Sequence, residues 1–336
     1  MRIGILTSGG DCPGINATIR GVCKTAIHHY GMEVLGIHGG FKGLLELDYE
    51  VMDDRSLTGL LTMGGTILGT SREKPYGKKH QVPGVDKPAL LKANILKLGL
   101  DAVVCIGGNG TQKTAYRMAA DGIPVVGIPK TIDNDVAGTE VCFGFQTAVS
   151  IATEAIDRLH STASAHKRVM VIEVMGHKAG WIALYSGMAG GGDVILIPER
   201  AYSLEQVTRS IEQRMQRGKN YAIVVVAEGV HTPIGRRAGE YVAAELARLT
   251  GVETRETILG YTQRGGTPCP YDRILATRMG AHAVELIAQG EFGKMVAMRG
   301  DNVTSVSLAE VAGVTRLVPV DHELILQGKQ MGVCFG

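Results

Sequence analysis

The chain opens with Arg2-Ile3-Gly4-Ile5-Leu6-Thr7-Ser8-Gly9-Gly10-Asp11-Cys12-Pro13-Gly14, and this stretch indicates the fold class. The apolar run Ile3–Leu6 is typical of a strand that is buried on both faces of a parallel sheet. Glycines follow at once, and a helical pattern begins a few residues later, at Ala17–His28. A strand, a glycine turn and a helix in this order indicate a layered α/β protein.

The same order repeats along the chain, so we predict parallel sheets with right-handed crossovers. Further strands are predicted at Val34–Ile37, Val103–Ile106, Val125–Ile128, Val169–Val174, Val194–Ile197, Ile223–Val226 and Thr257–Leu259. Further helices are predicted at Lys87–Leu98, Gln112–Ala120, Thr147–His160, Leu204–Gln216 and Tyr241–Leu249. The segment Glu73–Lys87 is predicted to be an exposed loop. Ligands of such folds bind beyond the carboxyl ends of the strands.

Length and charge narrow the function classes. The 336 residues suffice for two domains or one large one. The formal net charge of +2 gives no reason to expect a nucleic acid partner. No signal-peptide pattern and no apolar run of membrane-spanning length is visible, so we expect a cytoplasmic protein without a membrane partner. The six cysteines form neither a CxxC pair nor a metal-binding pattern with histidine.

Three glycine-rich loops are candidates for phosphate binding: Thr7–Gly14, Gly64–Arg72 and Gly107–Thr111. Glycine lets the backbone approach an anion, and the amides and dipole of a following helix favour negative charge. The first loop matches neither of the common nucleotide-binding glycine motifs. Tight turns without a ligand remain the alternative for all three loops.

A pair of carboxylates follows the strand Val125–Ile128, in Pro129-Lys130-Thr131-Ile132-Asp133-Asn134-Asp135. Phosphoryl transfer needs such a set: one carboxylate takes a hydroxyl proton, another holds Mg²⁺, and a lysine neutralises the transferring oxygens. The alternative is a structural turn in which Asn134 caps the backbone.

Arginines lie near the ends of predicted strands and suit a phosphate monoester, which accepts bidentate hydrogen bonds. Arg168 precedes one strand, Arg255 precedes another, and Arg264 lies in a glycine-rich turn. Solvated surface charge is the alternative for each.

Together these segments resemble the bacterial 6-phosphofructokinase family over nearly the whole chain. The matching blocks are TSGGDCPGINATIR (Thr7–Arg20), GGTILGTSR (Gly64–Arg72), GGNGT (Gly107–Thr111), PKTIDND (Pro129–Asp135), EAIDRLHSTASAHKR (Glu154–Arg168), EVMGHKAGW (Glu173–Trp181), AEG (Ala227–Gly229) and ETRETILGYTQRGGTPCPYDR (Glu253–Arg273). The resemblance implies two Rossmann-like three-layer α/β domains with mostly parallel sheets and an active site in the cleft between them. We expect residues 1–144 and about 257–305 to bind the phosphoryl donor, and residues 145–256 and about 306–336 to bind the sugar phosphate.

The resemblance also implies a reaction: phosphorylation of fructose 6-phosphate at C1 with ATP and Mg²⁺, a step of glycolysis. Asp133 would be the base, with Lys130, Arg72, Thr131 and Gly110 as further catalytic residues. The donor would bind to Gly10, Arg72, Gly107, Gly108, Asn109, Gly110 and Thr111. The sugar phosphate would bind to Thr131, Asp133, Arg168, Met175, Gly176, His177, Glu228, Arg255, Tyr261 and Arg264. Asp135 and Asn109 would hold Mg²⁺.

Several positions depart from the family pattern. Asn109 replaces an acidic residue that helps to hold the metal, His177 replaces an arginine, and Tyr261 replaces a histidine that meets the 6-phosphate. Gly110 is typical of ATP-dependent members, whereas Lys130 is typical of the pyrophosphate-dependent branch and of a mixed, ATP-using branch. The combination resembles the mixed branch, and we expect ATP rather than pyrophosphate as the donor.

The sequence leaves other interpretations of the function open. They are a reversible pyrophosphate-dependent enzyme, a related kinase of the NAD or lipid type, and a regulatory homologue with weakened catalysis. Sedoheptulose 7-phosphate is a possible alternative acceptor. In the family, arginines equivalent to Arg168 and Arg255 come from a neighbouring subunit, so we expect a homotetramer or homodimer.

Overall fold

A computed structural model describes residues 1–77, 83–233 and 235–336, so part of the predicted loop Glu73–Lys87 lies outside the described residues. The strands are β1 (Arg2–Ser8), β2 (Glu33–Ile37), β3 (Tyr49–Val51), β4 (Ala102–Gly107), β5 (Val125–Pro129), β6 (Val169–Val174), β7 (Val194–Leu196), β8 (Ala222–Ala227), β9 (Thr254–Ile258), β10 (Lys294–Arg299) and β11 (Asn302–Ser307). The helices are α1 (Ile15–Lys24), α2 (Phe41–Glu46), α3 (Lys87–Lys97), α4 (Asn109–Ala120), α5 (Phe145–His166), α6 (Trp181–Ala189), α7 (Leu204–Gln216), α8 (Ala238–Thr250), α9 (Pro270–Ala288), α10 (Leu308–Val311) and α11 (Glu323–Gln330).

The chain divides into two compact units. The first comprises Met1–Thr131, Val136–Gln146 and Arg264–Thr315, and the second comprises Ile132–Asp135, Thr147–Gln263 and Arg316–Gly336. The boundary expected near residue 257 falls inside β9. The structure instead keeps β9 whole in the second unit, because β9 pairs along its length with β6. The assignment of one unit to the donor and the other to the sugar phosphate stays a prediction.

The first unit contains a seven-stranded sheet in the order β11-β10-β5-β4-β1-β2-β3. Its inner strands are parallel, and antiparallel pairing is confined to β3 and β11 at the two edges. Because β1, β4 and β5 are parallel neighbours, their carboxyl ends lie at one edge of the sheet. The chain leaves the three strands there at Gly9, Gly108 and Lys130.

The second unit contains a parallel four-stranded sheet in the order β7-β8-β6-β9. Every residue of β6 and β8 is buried, as expected for strands covered on both faces. The carboxyl ends of β6, β8 and β9 run into Met175, Glu228 and Leu259, again at one edge.

The predicted mixed α/β class with mostly parallel sheets is confirmed, and the apolar runs mark most of the inner strands. The strand predicted at Thr257–Leu259 instead begins at Thr254, because Arg255 and Glu256 point to solvent on an edge strand and interrupt the apolar run. The helix predicted from Gln112 begins three residues earlier, at Asn109. None of the helices in the described ranges has the length and hydrophobicity that a membrane span requires.

Two glycines set the distance at which α1 and α9 cross in the first unit. A Cβ atom on Gly21 would lie 2.7 Å from the carbonyl oxygen of Thr277. A Cβ atom on Gly280 would lie 2.7 Å from the carbonyl oxygen of Thr18 and 2.9 Å from the amide nitrogen of Val22. These neighbours are backbone atoms, which cannot turn aside as a side chain can.

We therefore expect Gly280→Ala to destabilise the protein. In an open helix the change would add about 0.5–1 kcal/mol of stability, but here overpacking costs about 1–3 kcal/mol and reverses the sign. The matched control is Gly265→Ala, since a Cβ there meets nothing within 4 Å. Urea unfolding should show a lower midpoint for Gly280→Ala alone. Equal midpoints for both variants would contradict the close crossing.

Candidate functional site

The first two glycine loops are joined by hydrogen bonds at the carboxyl end of β1. The amide of Gly9 donates to the carbonyl oxygen of Ser71 at 3.0 Å, and the Thr70 hydroxyl donates to the carbonyl oxygen of Gly9 at 2.7 Å. Gly9 has φ +85°, a left-handed conformation that glycine adopts without strain. Arg72 follows directly and is exposed.

The third glycine loop forms the amino terminus of α4 beside the first. The Thr111 hydroxyl donates to the carbonyl oxygen of Ser8 at 3.4 Å, and the Lys130 amide donates to the carbonyl oxygen of Gly107 at 3.1 Å. The Lys130 ammonium, only 3% exposed as a residue, donates to the carbonyl oxygen of Gly10. The predicted donor residues Gly10, Gly107, Gly108, Asn109, Gly110 and Thr111 are thus gathered with Lys130 at one sheet edge of the first unit.

Arg264 also lies in the first unit, against the first glycine loop. Its Nη1 donates to the carbonyl oxygen of Asp11 at 3.1 Å, and a Cβ atom on Gly10 would lie only 2.8 Å from that nitrogen. Glycine at position 10 is therefore what allows the guanidinium to lie this close to the loop.

Lys74 is a neighbour of the donor loops that the sequence analysis did not single out. A Cβ atom on Gly110 would lie 3.4 Å from both Cε and Nζ of Lys74, an ordinary contact distance. The space beside Gly110 is thus bordered by an ammonium group. Lys74 lies in a segment rich in Lys, Gly and Pro, and nothing in that composition indicated that it would lie beside Gly110.

The carboxylate pair lies in a buried segment. Asp133 is 8% exposed and Asp135 is 6% exposed, and Asn134 between them is left-handed with φ +52°. In the chain, the segment 132–135 of the second unit directly follows Lys130 and Thr131 of the first. Thr131 is also buried, at 8% exposure.

Arg316 holds this segment by its backbone. Its amide donates to the carbonyl oxygen of Asp135 at 2.8 Å, and its Nη1 donates to that of Asn134 at 3.1 Å. The guanidinium lies 4.0 Å from the ring centroid of Trp181, whose Nε1 donates to the carbonyl oxygen of Arg316 at 3.1 Å. The sequence did not indicate that Arg316 has this role, because its partners are distant in the chain.

A pocket of about 470 Å³ opens at the carboxyl ends of β6, β8 and β9 in the second unit. It brings together three of the predicted sugar-phosphate residues, Met175, Glu228 and Tyr261. The Glu228 carboxylate accepts the amide of Gly176 at 3.2 Å and that of His177 at 2.7 Å. His177 is left-handed, with φ +53°, so these hydrogen bonds stabilise a turn that a non-glycine residue rarely adopts.

Glu173 lines the same pocket and was not predicted, although a carboxylate inside an apolar strand was a visible signal. Burial raises the pKa of its carboxyl, while the Gly239 amide, which donates to it at 2.8 Å, and the nearby Arg237 lower that pKa. The hydrogen bond ties the first turn of α8 to β6.

Arg168 and Arg255 lie apart from this pocket within the chain. Both pair with Glu253, at 2.8 Å and 2.7 Å. The hydrogen bond from Arg168 holds the pKa of the Glu253 carboxyl below its usual range. The arginines lie at the amino ends of β6 and β9, and Met175 follows the carboxyl end of β6. At about 3.3 Å per strand residue the separation is about 20 Å, beyond the reach of an arginine side chain.

The described residues contain no cluster of three or more His, Cys, Asp or Glu side chains placed to hold a metal ion. In kinases, one or two carboxylates and the substrate phosphates supply the ligands of Mg²⁺. The buried Asp133 and Asp135 offer carboxylates of that kind.

Glycine loops that converge on a helix amino terminus and a buried lysine are features of phosphate-binding α/β proteins. The family model Phosphofructokinase matches residues 2–287, and the chain belongs to this family. It is 67% identical to the ATP-dependent 6-phosphofructokinase 3 of Bacteroides thetaiotaomicron over the whole of both chains. It is 48% identical to the pyrophosphate–fructose 6-phosphate 1-phosphotransferase of Amycolatopsis methanolica, over 96% of this chain and 97% of that one.

Solved structures agree with the fold. The T-state phosphofructokinase of Pichia pastoris superposes with a TM-score of 0.85 at 31% identity, over 93% of this chain; the match spans 35% of that longer chain. A pyrophosphate-dependent phosphofructokinase of Nitrosospira multiformis superposes with a TM-score of 0.87 at 22% identity, over all of this chain and 92% of that one.

The two amides held by Glu228 lead to a prediction. Glu228→Gln keeps an oxygen acceptor, so we expect a loss of at most about 1 kcal/mol of unfolding free energy. Glu228→Ala leaves both amides without that acceptor and should cost about 2–4 kcal/mol. Thermal unfolding of the two variants side by side measures the difference. Equal melting temperatures would mean that Glu228 does not hold the turn.

Proposed function

We propose that the chain is an ATP-dependent 6-phosphofructokinase, which transfers the γ-phosphoryl group of ATP to the C1 hydroxyl of fructose 6-phosphate. The observation that carries the proposal is the buried segment with Asp133 and Asp135, which continues directly from Lys130 at the glycine loops. The relatives named ATP-dependent 6-phosphofructokinase support it. The cytoplasmic location expected from the sequence stays a prediction.

Asp133 acts as the general base. The C1 hydroxyl oxygen forms a bond to the γ-phosphorus, the bond from that phosphorus to the ADP oxygen breaks, and the hydroxyl proton passes to the Asp133 carboxylate. A positioned base of this kind contributes about 10²–10⁴ in rate. The fixed backbone of Asn134 and Asp135 supports this role, since a base must be aimed before the reaction begins.

The donor phosphates bind at the gathered glycine loops. The amides at the start of α4 donate to phosphate oxygens, and the lack of a side chain at Gly10 makes room for the Arg264 guanidinium beside the loop. Lys130 and Arg72 neutralise the charge that spreads over the equatorial oxygens in the transition state. Lys74 adds a positive charge beside Gly110.

Asp135 and Asn109 are the residues we assign to Mg²⁺. Bound with ATP, the ion would neutralise charge on the β- and γ-phosphates. An amide oxygen at Asn109 is a neutral ligand, so Asp135 and the donor phosphates would supply the negative charge at the metal.

The acceptor binds in the pocket of the second unit. Glu228 accepts hydrogen bonds from sugar hydroxyls, with Met175, Gly176, His177 and Tyr261 around it. Thr131, Asp133 and Arg264 complete the set that we assign to the sugar phosphate.

Arg168 and Arg255 complete the pocket of a neighbouring copy in our proposal. Both lie too far along the strands to reach Met175 of their own chain, and both are held together on Glu253. This arrangement favours a homotetramer or homodimer as the active form. Sedimentation showing an active monomer would contradict it.

Pyrophosphate is the second candidate donor. Lys130 favours it by resemblance to pyrophosphate-using members, and so does the name of the Amycolatopsis relative. The lack of a side chain at Gly110, beside the Lys74 ammonium, favours ATP, because a nucleotide α-phosphate needs room that pyrophosphate does not.

A side-by-side assay tests the proposal. We expect turnover of fructose 6-phosphate with ATP and Mg²⁺, at least about tenfold faster than with pyrophosphate, and loss of activity with a chelator. Turnover with pyrophosphate alone would favour the second candidate, and turnover with neither donor would overturn both.

Gly110→Asp extends the test. The new carboxylate would repel the α-phosphate, so kcat/KM for ATP should fall about 100-fold or more, whereas pyrophosphate should be spared. The matched control is Gly110→Ala, whose Cβ makes only an ordinary 3.4 Å contact with Lys74 and adds no charge. It should stay within about threefold of the unaltered chain.

A further inference from the structure

Two arginines on the wall of the second unit's pocket have no role in the reaction as described so far. Arg236 and Arg237 line it together with Met175, Glu228 and Tyr261. Both side chains are exposed, and among the described residues neither guanidinium takes part in an ion pair. Adjacent cations on a pocket wall are suited to an anionic ligand.

The pair is held in place by its own backbone. The Thr232 hydroxyl donates to the carbonyl oxygen of Arg236 at 2.8 Å, and the Tyr241 amide donates to that of Arg237 at 2.9 Å. The Arg236 guanidinium lies 5.5 Å from the ring centroid of Tyr241. Arg237 is the residue that immediately precedes α8.

The first turn of α8 is seated closely on the sheet. The Gly239 amide donates to the Glu173 carboxylate at 2.8 Å. A Cβ atom on Gly239 would lie 2.9 Å from Cβ of Glu173 and 3.2 Å from Cδ1 of Ile258, so only glycine permits this approach. Arg237 is therefore placed on the pocket wall by a helix fixed to β6 and β9.

The pocket has charges of both signs. Glu228 and the buried Glu173 are the acidic groups, and the two arginines are the basic ones. Carboxylates accept hydrogen bonds from sugar hydroxyls, whereas guanidiniums bind phosphate oxygens. A sugar phosphate satisfies both kinds of group at once.

Among the described residues, none of the three arginines predicted to bind phosphate lines this pocket. Arg264 belongs to the first unit, Tyr261 offers a phenolic hydroxyl, and Arg168 and Arg255 lie about 20 Å away along the strands. Within the second unit, Arg236 and Arg237 are the cations that line the pocket.

We propose that Arg237, assisted by Arg236, is a further cationic contact, supplied by the second unit itself, for the phosphate monoester of the acceptor sugar. This assignment rests on the proposed function, and it adds a specificity-determining pair supplied by the same chain as Glu228. The pair favours phosphorylated over free sugars.

Titration calorimetry of the full chain with fructose 6-phosphate tests the assignment without requiring turnover. We expect Arg237→Gln to bind it about tenfold to a hundredfold more weakly and Arg236→Gln to show a smaller loss. Arg237→Lys should recover part of the affinity, because it keeps the charge. Inorganic sulfate, as a dianion probe, should compete less well against Arg237→Gln.

The matched control is Arg248→Gln, on the same helix, where the arginine pairs with Glu245 at 2.8 Å and does not line the pocket. It should bind as the unaltered chain does. In turnover, Arg237→Gln should raise KM for fructose 6-phosphate and leave KM for ATP and kcat within about threefold, since the arginine acts on binding and not on the reacting hydroxyl.

The outcomes separate the two claims. Suppose that Arg237→Gln binds fructose 6-phosphate as tightly as Arg248→Gln does, and that the unaltered chain turns the sugar over. This result overturns the arginine assignment and leaves the proposed function standing. Suppose instead that only Arg237→Gln and Arg236→Gln bind fructose 6-phosphate more weakly, and that the unaltered chain transfers no phosphoryl group. This result supports the assignment and overturns the proposed function.

Discussion

The hydrogen bonds from Arg316 to the backbone of Asn134 and Asp135 are the interaction on which the candidate site depends. A buried loop must satisfy its carbonyl groups, and each one left without a donor costs about 1–3 kcal/mol. Arg316 supplies two donors, and the Trp181 ring fixes the plane of its guanidinium. With the backbone fixed, the left-handed Asn134 is tolerated and the two flanking carboxylates stay buried.

A second constraint is electrostatic and belongs to the first unit. The Lys130 ammonium is buried at the glycine loops, near the positive amino end of α4. A phosphate group bound at this place would interact favourably with both positive charges.

The sequence predicted what depends on local pattern. Apolar runs marked β1, β4, β5, β6 and β8, and glycines at strand ends marked the three loops. It did not predict the edge strands β3 and β11, whose residues are mostly exposed or half-buried and so lack an apolar run. It missed the inner strand β10 as well, although its buried run Met295–Met298 is apolar. It also could not place Arg316, Lys74 or Arg237, because each acquires its position through partners far away in the chain. Arg168 and Arg255 were singled out because arginine suits phosphate. The direction of their strands, however, places them at the opposite end of the sheet from Met175.

The proposed mechanism requires Asp133 to take the proton from the acceptor hydroxyl. The most direct measurement is single-turnover phosphoryl transfer from ATP to fructose 6-phosphate by Asp133→Asn, with both ligands saturating. Asn has nearly the same shape but cannot accept the proton, so we expect the rate to fall by about 10²–10⁴ while the affinities for both ligands change little. A rate within a few fold of that of the unaltered chain would mean that Asp133 is not the general base.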